Sequence, residues 1–409
     1  MHTESRSVPR SVAEHRAAVA ALLPPRPVVR LPLAECRGLV LAEDVVAPVA
    51  LPPFDNSAMD GYAVRAEDVA GASGAVPVEL PVAEDIPAGR TDVPELVAGT
   101  AHRIMTGAPM PPGADAVVMV ERTDGGVERV RIGVAVETGN HVRRTGEDVR
   151  EGDVLLTAGS VLTPARLGLA AAVGHATLPV RRRPVVLVLS TGTELVAPGA
   201  PLRPGQIYES NSVLLAAAVE ELGCVADVLR FVPDDPARFL AVIAERADGA
   251  DLLLTSGGVS AGAYEVVKDA LTGRGVDFVR VAVQPGGPQG LGRVDALGGL
   301  AVVALPGNPV SAALSFELFA RPALLAALGH PVVDRPRATA RLVSGLRSPA
   351  GKRQYRRARH DEGLVEVTPV GGPGSHLLAS FAASNCLIEL DEDTTEAPAG
   401  STVPLILLD

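Results

Sequence analysis

The apolar residues of this chain fall in short runs whose spacing changes along its length, and those changes divide it into parts. Residues 8–50 predict a short amphipathic helix, SVAEHRAAVAALLP, followed by a connector with scattered prolines. From 51 to 141 the runs are shorter, as in AVPVELPVAED and GADAVVMVERT, and Gly and Pro break them, which predicts β structure. Residues 142–183 return to the connector, with a helix at PARLGLAAAVG. This part therefore reads as a discontinuous connector domain, 8–50 and 142–183, with a β domain of 51–141 inserted in it.

Between 184 and 332 strand-like and helix-like runs alternate. VVLVLS (Val185–Ser190) is a short buried strand. Asn211 or Ser212 is placed to cap the helix VLLAAAVEEL, and Gly223 to stop it. CVADVLRFV is the next strand, and Pro236 opens the helix ARFLAVIAERA. DLLLTS, a glycine loop, the helix YEVVKDAL, the strand VDFVRVAV, a hairpin, LAVVALPGNP and a helix over 310–328 complete the series. Such alternation predicts a doubly wound α/β domain, a parallel sheet with helices on both faces. Beyond it, 333–409 carries RATARLVSG, QYRRARH, LVEVTPV, CLIELDED and TVPLILLD, the short strands of a small β domain.

Composition narrows the function classes. At 409 residues two to four domains are expected. With 47% hydrophobic and 21% charged residues the chain is globular, despite only 3% aromatics and no Trp. A net charge of −11 argues against nucleic acid or a membrane surface as the main partner, although local loops can still receive a small anion. Cys36, Cys224 and Cys386 form no CxxC pair and read as reduced thiols of a cytoplasmic protein. The histidines show no zinc-ligand spacing. The polar N-terminus predicts no signal peptide. Ala296–Phe316 is uncharged, but Gly298, Gly299 and Pro306-Gly307-Asn308-Pro309 interrupt it, so a strand, a turn and a helix are expected rather than a membrane span.

In an open parallel sheet ligands bind beyond the carboxyl ends of the strands. Here those ends run into Ser190-Thr191-Gly192-Thr193-Glu194, Ser256-Gly257-Gly258-Val259-Ser260, Gln284-Pro285-Gly286-Gly287-Pro288 and Pro306-Gly307-Asn308-Pro309. Glycines let backbone N–H groups approach an anion, which points to a phosphate-bearing ligand. A single such loop is better explained by a tight turn; four along one edge, mixed with Ser and Thr, favour a ligand site. None is a GxxxxGK[ST] or GxGxxG loop, so ATP hydrolysis and hydride transfer lack their usual supports. Glu194, Asp234-Asp235 and Glu265 punctuate the same edge, as a Mg²⁺ bridging carboxylates and phosphate would require. Helix capping is the alternative for Asp234-Asp235, and a first-turn acid for Glu265. The stretch FDNSAMDGYAVR, 54–65, concentrates hydrogen-bonding groups in one turn; it reads as a turn that caps itself or as part of a site.

SAMDGYAVR, RIMTGAPMPPGADAVVMVE, RRTGED, STGTEL, TSGGVSAG, LPGNPVSA and GSHLLASFAASN occur in that order. The set resembles the MoeA-type molybdopterin molybdotransferases and the E-domain of gephyrin, from about residue 8 to the C-terminus. The resemblance implies an elongated connector, an inserted β domain, a molybdopterin-binding α/β domain and a C-terminal β-barrel. It implies a homodimer whose cleft lies between the α/β domain of one copy and the inserted domain of the other. The implied reaction places molybdate on adenylylated molybdopterin, with Mg²⁺ or a similar ion, and releases AMP; other proteins of molybdenum cofactor synthesis are implied partners. Asp60, Thr106, Glu194 and Glu265 are the implied catalytic residues. Glu194, Asp235 and Glu265 are the candidate metal ligands. Arg143, Asp148, Ser190, Thr191, Gly192, Ser256, Gly257, Gly258, Ser260, Gln284, Pro306, Gly307, Asn308, Pro309 and Ser375 are the candidate substrate-binding residues, with His376 shaping the cleft.

The chain departs from the family pattern twice. Glu265 stands where the family often has Asp, and QPGGP, 284–288, replaces a KPGKP-type loop, so two cations are missing; Lys268 or Arg280 is placed to compensate. The cation-free loop suits a gephyrin-like dimeric scaffold for a peptide as the alternative function. A third reading, a molybdopterin adenylyltransferase, conflicts with the inserted domain and SAMDGY.

Overall fold

A computed structural model describes residues 8–229, 235–259 and 266–408; Asp234, Ser260 and Glu265 lie outside the described residues. Helix α1 (Val12–Leu22) opens on a capping box, in which Ser11 Oγ accepts from the Glu14 N–H and Glu14 accepts from the Ser11 N–H. Its Val12, Val19 and Leu23 enter the core of the α/β domain rather than the connector. Strand β1 (Val28–Pro32) begins the connector. The inserted domain follows with β2 (Gly61–Val64), β3 (Val78–Ile86), β4 (Ala101–Ile104), β5 (Ala116–Met119) and β6 (Arg129–Ile132), ordered β5-β2-β4-β3-β6 in one sheet. Tyr62, Val64, Val118, Val130 and Ile132 form its core. Helix α2 (Pro164–Ala172) and β7 (Thr177–Arg181), antiparallel to β1, close the connector.

The α/β domain comprises β8 (Val185–Ser190), α3 (Asn211–Glu221), β9 (Val225–Leu229), α4 (Pro236–Ala247), β10 (Leu252–Ser256), α5 (Val266–Leu271), β11 (Val276–Arg280), β12 (Val283–Gln284), β13 (Pro288–Val294), β14 (Leu300–Leu305), α6 (Pro309–Ser315) and α7 (Arg321–Ala327). The sheet order is β9-β8-β10-β14-β13-β11. Alternate residues serve opposite faces. Val186, Val188, Leu252, Leu254, Val303 and Leu305 meet α1, α3, α6 and α7, whereas Leu187, Leu189, Leu253 and Val302 meet Phe239 and Ile243 of α4 and Val267 of α5. Full burial of Phe239 and Ile243 stabilises the second face by about 1.5–3 kcal/mol each.

Several local expectations are revised. The sheet is mixed, because β13 runs antiparallel to both β14 and β11. VDFVRVAV splits into β11 and β12, and β12 leaves the sheet to pair with the C-terminal domain. Neither Asn211 nor Ser212 caps α3. Glu209 accepts from the Ser212 N–H at 2.7 Å and from its hydroxyl, and Asn211 Nδ2 donates to the Gly307 carbonyl at 2.7 Å. The expected helix over 310–328 is interrupted by a π-turn at Phe316–Ala320. Pro322 has no N–H to donate and its ring crowds the preceding turn, so the regular ladder gives way there. Pro309–Ala327 is long and apolar enough for a span, but 78% of its most apolar window is buried inside the protein, where it serves as a core helix.

The C-terminal domain closes as a barrel of β15 (Arg337–Leu342), β16 (Arg353–His360), β17 (Glu366–Pro369), β18 (Cys386–Leu390) and β19 (Thr402–Leu407), with β16 pairing both β17 and β18. Helix α8 (Leu378–Ala382) lies in its long β17–β18 connection.

His15 of α1 is fully buried, neither ring nitrogen has a partner among the described residues, and its ring meets Phe319 edge-on at 4.6 Å. Burial, reinforced by Arg10, pushes its pKa down to about 4 from an ordinary 6.5. The unfolded chain therefore takes up a proton that the folded chain refuses. Stability is unaffected above pH 6.5, falls as pH drops from 6.5 towards 4, and levels off below, for a total of about 3 kcal/mol. Denaturant unfolding at pH 7 and pH 4.5 measures this, and His15→Leu should remove most of the extra acid sensitivity.

Candidate active site

The carboxyl ends of β8, β10 and β14 and the loop after β12 surround a cavity of about 950 Å³, walled on one side by Pro373, Gly374 and Ser375 of the C-terminal domain. Of the sequence-derived residues, Ser190, Thr191, Gly192, Glu194, Ser256, Gly257, Gly258, Gln284, Pro306, Gly307, Asn308, Pro309 and Ser375 line it.

The loops touch through their backbones. Gly257 has φ +93°, and a Cβ there would stand 2.8 Å from the Thr191 carbonyl oxygen; one on Gly307 would stand 3.2 Å from Gly257 Cα. Only glycine permits both the left-handed conformation and the approach. Hydrogen bonds fix the loops further. The Thr191 N–H donates to the Ser256 carbonyl at 3.2 Å, the Gly257 N–H to Leu305 at 3.0 Å, and the Ser190 and Ser256 hydroxyls are 2.9 Å apart. The Val310 N–H donates to the Ser375 carbonyl at 3.0 Å, anchoring α6 to the barrel side of the cavity. The N–H groups of Gly192, Gly258 and Gly307 donate to no protein acceptor among the described residues, which leaves them available to an anion.

Glu194 folds back over Gly192; a Cβ on Gly192 would lie 2.7 Å from either carboxylate oxygen. That carboxylate has no protein partner among the described residues. Asp235 is elsewhere in role: it is the N-cap of α4, accepting from the Arg238 N–H at 2.8 Å, and does not line the cavity. Gln284 lines the cavity with its Oε1 buried and without a partner among the described residues.

Among the described lining residues there is no Lys, Arg or His, and neither Lys268 nor Arg280 is one of them. Candidates for positive charge on the barrel side are Arg356 and Arg357 of β16, which the sequence reading missed. Both are buried, at 9% and 3% exposure, and neither has a carboxylate partner among the described residues. Arg357 donates to the Gly372 carbonyl, next to the Pro373–Ser375 wall. Arg356 pairs with Ile388 and shares the inner face of the barrel. Gln284 of β12 is opposite Gln354, and Arg356 lies two residues further along, about 7 Å, in the direction of Gly286. Burial lowers the pKa of both guanidinium groups. The available signal was the doubled Arg in a strand: with side chains alternating, at least one must point inward.

Asp60 and Thr106 stand together in the inserted domain. Asp60 Oδ1 accepts from the Thr106 N–H at 2.6 Å and from its hydroxyl at 2.8 Å, and these bonds hold the Asp60 carboxyl below its usual pKa. Neither residue lines the cavity of its own chain. Asp55 repeats the arrangement with the Thr145 N–H and hydroxyl, at 2.7 and 2.9 Å, and adds Arg144 at 2.7 Å. Ser57 Oγ donates to the Met59 carbonyl at 2.5 Å, and Asn56 Nδ2 to that of Phe54 at 3.1 Å. Most of the polar groups in FDNSAMD thus hold the turn itself, while Asp60 Oδ2 has no partner among the described residues. Arg143 is exposed and pairs in register with Asn56; Asp148 makes no ion pair among the described residues.

A glycine-lined cleft at the carboxyl edge of a doubly wound sheet, walled by a β-barrel, defines a multidomain α/β protein with a cleft where such sheets bind ligands. The MoeA N-terminal region (domain I and II) matches residues 10–174, the probable molybdopterin binding domain 187–326, and the MoeA C-terminal region (domain IV) 339–408. The chain belongs to the MoeA family. It is 55% identical to molybdopterin molybdenumtransferase 2 of Mycobacterium tuberculosis, over 96% of this chain and 98% of that one. It is 37% identical to molybdopterin molybdenumtransferase of Haemophilus influenzae, over 92% of each. The crystal structure of the molybdopterin biosynthesis MoeA protein from Pyrococcus horikosii superposes with a TM-score of 0.81 at 32% identity, covering 98% of this chain and 99% of that one.

Proposed function

We infer that this chain is a molybdopterin molybdenumtransferase that attaches molybdate to adenylylated molybdopterin and releases AMP. The observation that carries this is the assembly of the Ser190, Ser256, Gln284 and Pro306 loops into one cavity with free backbone N–H groups and one free carboxylate, Glu194. The relatives named above are transferases, which favours catalysis over a peptide scaffold. The free N–H groups bind phosphate oxygens, and Arg356 and Arg357 supply from the barrel side the positive field that the neutral QPGGP loop lacks.

Mg²⁺ fits the donors present. It needs one or two carboxylates and completes its shell with phosphate oxygens, and Glu194 offers such a carboxylate. No group of three or more His, Cys, Asp or Glu is assembled as a protein cage among the described residues. When bound, Mg²⁺ supplies neutralisation of the pyrophosphate charge. Glu194 would hold it, the loop amides would orient the phosphates, and the glycine contacts keep the cleft narrow.

Asp60 and Thr106 act on the cavity of a second copy, so the working unit is a homodimer. Cys36 and Cys224, buried thiols in no disulfide among the described residues, the latter with its pKa pushed up to about 12, support a reducing cytoplasmic setting.

Purified protein mixed with adenylylated molybdopterin, Mg²⁺ and molybdate should release AMP only when molybdate is present; molybdate-independent release or none refutes the assignment. Asp60→Asn and Glu194→Gln should each be defective. Mixed after dissociation, the two variants should regain roughly a quarter of wild-type activity, because half the reassembled dimers carry one intact composite site. No recovery would place both residues in the same subunit's site.

A further inference from the structure

Gln289, the second residue of β13, is fully buried although its side chain is polar. It pairs with Val279 of β11, and the next residue, Gly290, pairs with Ala304 of β14, close to where that strand runs into the Pro306 loop. Its side-chain amide bridges two separate elements. Nε2 donates to the Gly286 carbonyl at 2.7 Å and to the hydroxyl of Ser315, the last residue of α6, also at 2.7 Å. A carbonyl only accepts, so the nitrogen must face Gly286, and the two N–H groups of one amide serve the two acceptors. Oε1 is buried and has no partner among the described residues. A half-satisfied buried amide is a poor source of stability. What it holds is geometry.

The elements it joins are the two sides of one gap. Gln284, Pro285, Gly286 and Pro288 line the main cavity on one side, and the 306–309 loop with Ser311 of α6 on the other. They pack closely: a Cβ on Gly286, at φ +104°, would stand 3.1 Å from Ser315 Oγ and 3.6 Å from the Ser311 carbonyl oxygen. Neither Gln289 nor Ser315 lines the cavity, so the amide acts from behind its wall. Drawing the Gly286 carbonyl back turns the Gly287 N–H, on the other side of the same trans peptide, the opposite way. That N–H donates to no protein acceptor among the described residues.

We propose that Gln289 is a positioning residue for the transferase site, its amide tying the 284–288 loop to α6 and so setting the gap in which the oxyanion is received. The proposal rests on the transferase reading and adds to it a residue that touches no substrate.

Gln289→Met keeps the volume and removes both donors; Gln289→Glu keeps the shape and, once ionised, only accepts. Both are made in the full-length protein and read by molybdate-dependent AMP release and by calorimetry with AMP. Gln289→Met should raise the KM for molybdate roughly tenfold or more. Its kcat at saturating molybdate, its KM for adenylylated molybdopterin and its AMP affinity should each stay within about threefold of wild type. Burial raises the pKa of a carboxyl. Gln289→Glu should therefore approach wild type at pH 6, where a neutral carboxyl donates to Gly286, and fall to the level of Gln289→Met by pH 9. Taken relative to wild type at each pH, that loss is one a merely structural role does not produce. An unchanged molybdate KM in Gln289→Met overturns the assignment. So does a joint fall of molybdate affinity, AMP affinity and melting temperature, or a Gln289→Glu deficit that does not vary with pH. Each of these leaves the transferase reading standing. Wild-type protein that releases no AMP overturns that reading and the positioning role with it.

Discussion

Glu194→Gln should lower AMP release by a factor on the order of 10² or more, equivalent to about 2.7 kcal/mol of transition-state stabilisation. The change keeps shape and removes charge. Glu194 is exposed and has no protein partner among the described residues, so the fold has little to lose. The account therefore requires activity and stability to separate: the melting temperature holds while turnover collapses and its Mg²⁺ dependence shifts to higher concentration. A parallel fall in both would make Glu194 a structural residue. Unchanged turnover would remove it from the site altogether.

Gly61→Ala should strongly destabilise the inserted domain. Gly61 lies in β2, paired with Met119 of β5, in an ordinary backbone conformation; what demands glycine is proximity. A Cβ there would stand 2.0 Å from the Val118 carbonyl oxygen, which is backbone and cannot swing aside. Relief needs edge strand β5 to separate from β2, at a cost of about 3 kcal/mol or more. Because Asp60 is the preceding residue, the same shift misplaces its clamp on Thr106. Hydrogen exchange should show faster opening of β2, β4 and β5 while β8, β10 and β14 keep wild-type protection, and AMP release should fall with it. Uniform protection throughout would mean that the sheet absorbs the methyl group.

The strands and helices of the α/β domain were legible because local signals agreed: apolar runs of strand length, glycines after them, Pro236 and Gly223 at helix boundaries. The cavity was legible for the same reason, since strand ends in such a sheet must converge. What escaped depends on contacts between distant residues. The reversal of β13 is set by its pairing with β11 and β14, which the apolar pattern alone does not encode. Glu209 displaced Asn211 and Ser212 as partner of the α3 terminus because Asn211 is drawn to Gly307, a loop far along the chain. Arg356 and Arg357 read as ordinary strand polarity until the barrel closes around them. The turn at FDNSAMD holds itself together, as one of its two readings expected, and leaves one oxygen of Asp60 without a partner among the described residues.

The central claim is that the cavity beneath the Ser190, Ser256, Gln284 and Pro306 loops receives the oxyanion and the phosphates together. Crystals soaked with molybdate and AMP, measured at the molybdenum absorption edge, test it directly. The account predicts an anomalous peak inside this cavity, between the 284–288 and 306–309 loops, with the AMP phosphate on the free amides of Gly192 or Gly258. Molybdenum bound reproducibly elsewhere, with this cavity empty of both ligands, would contradict it.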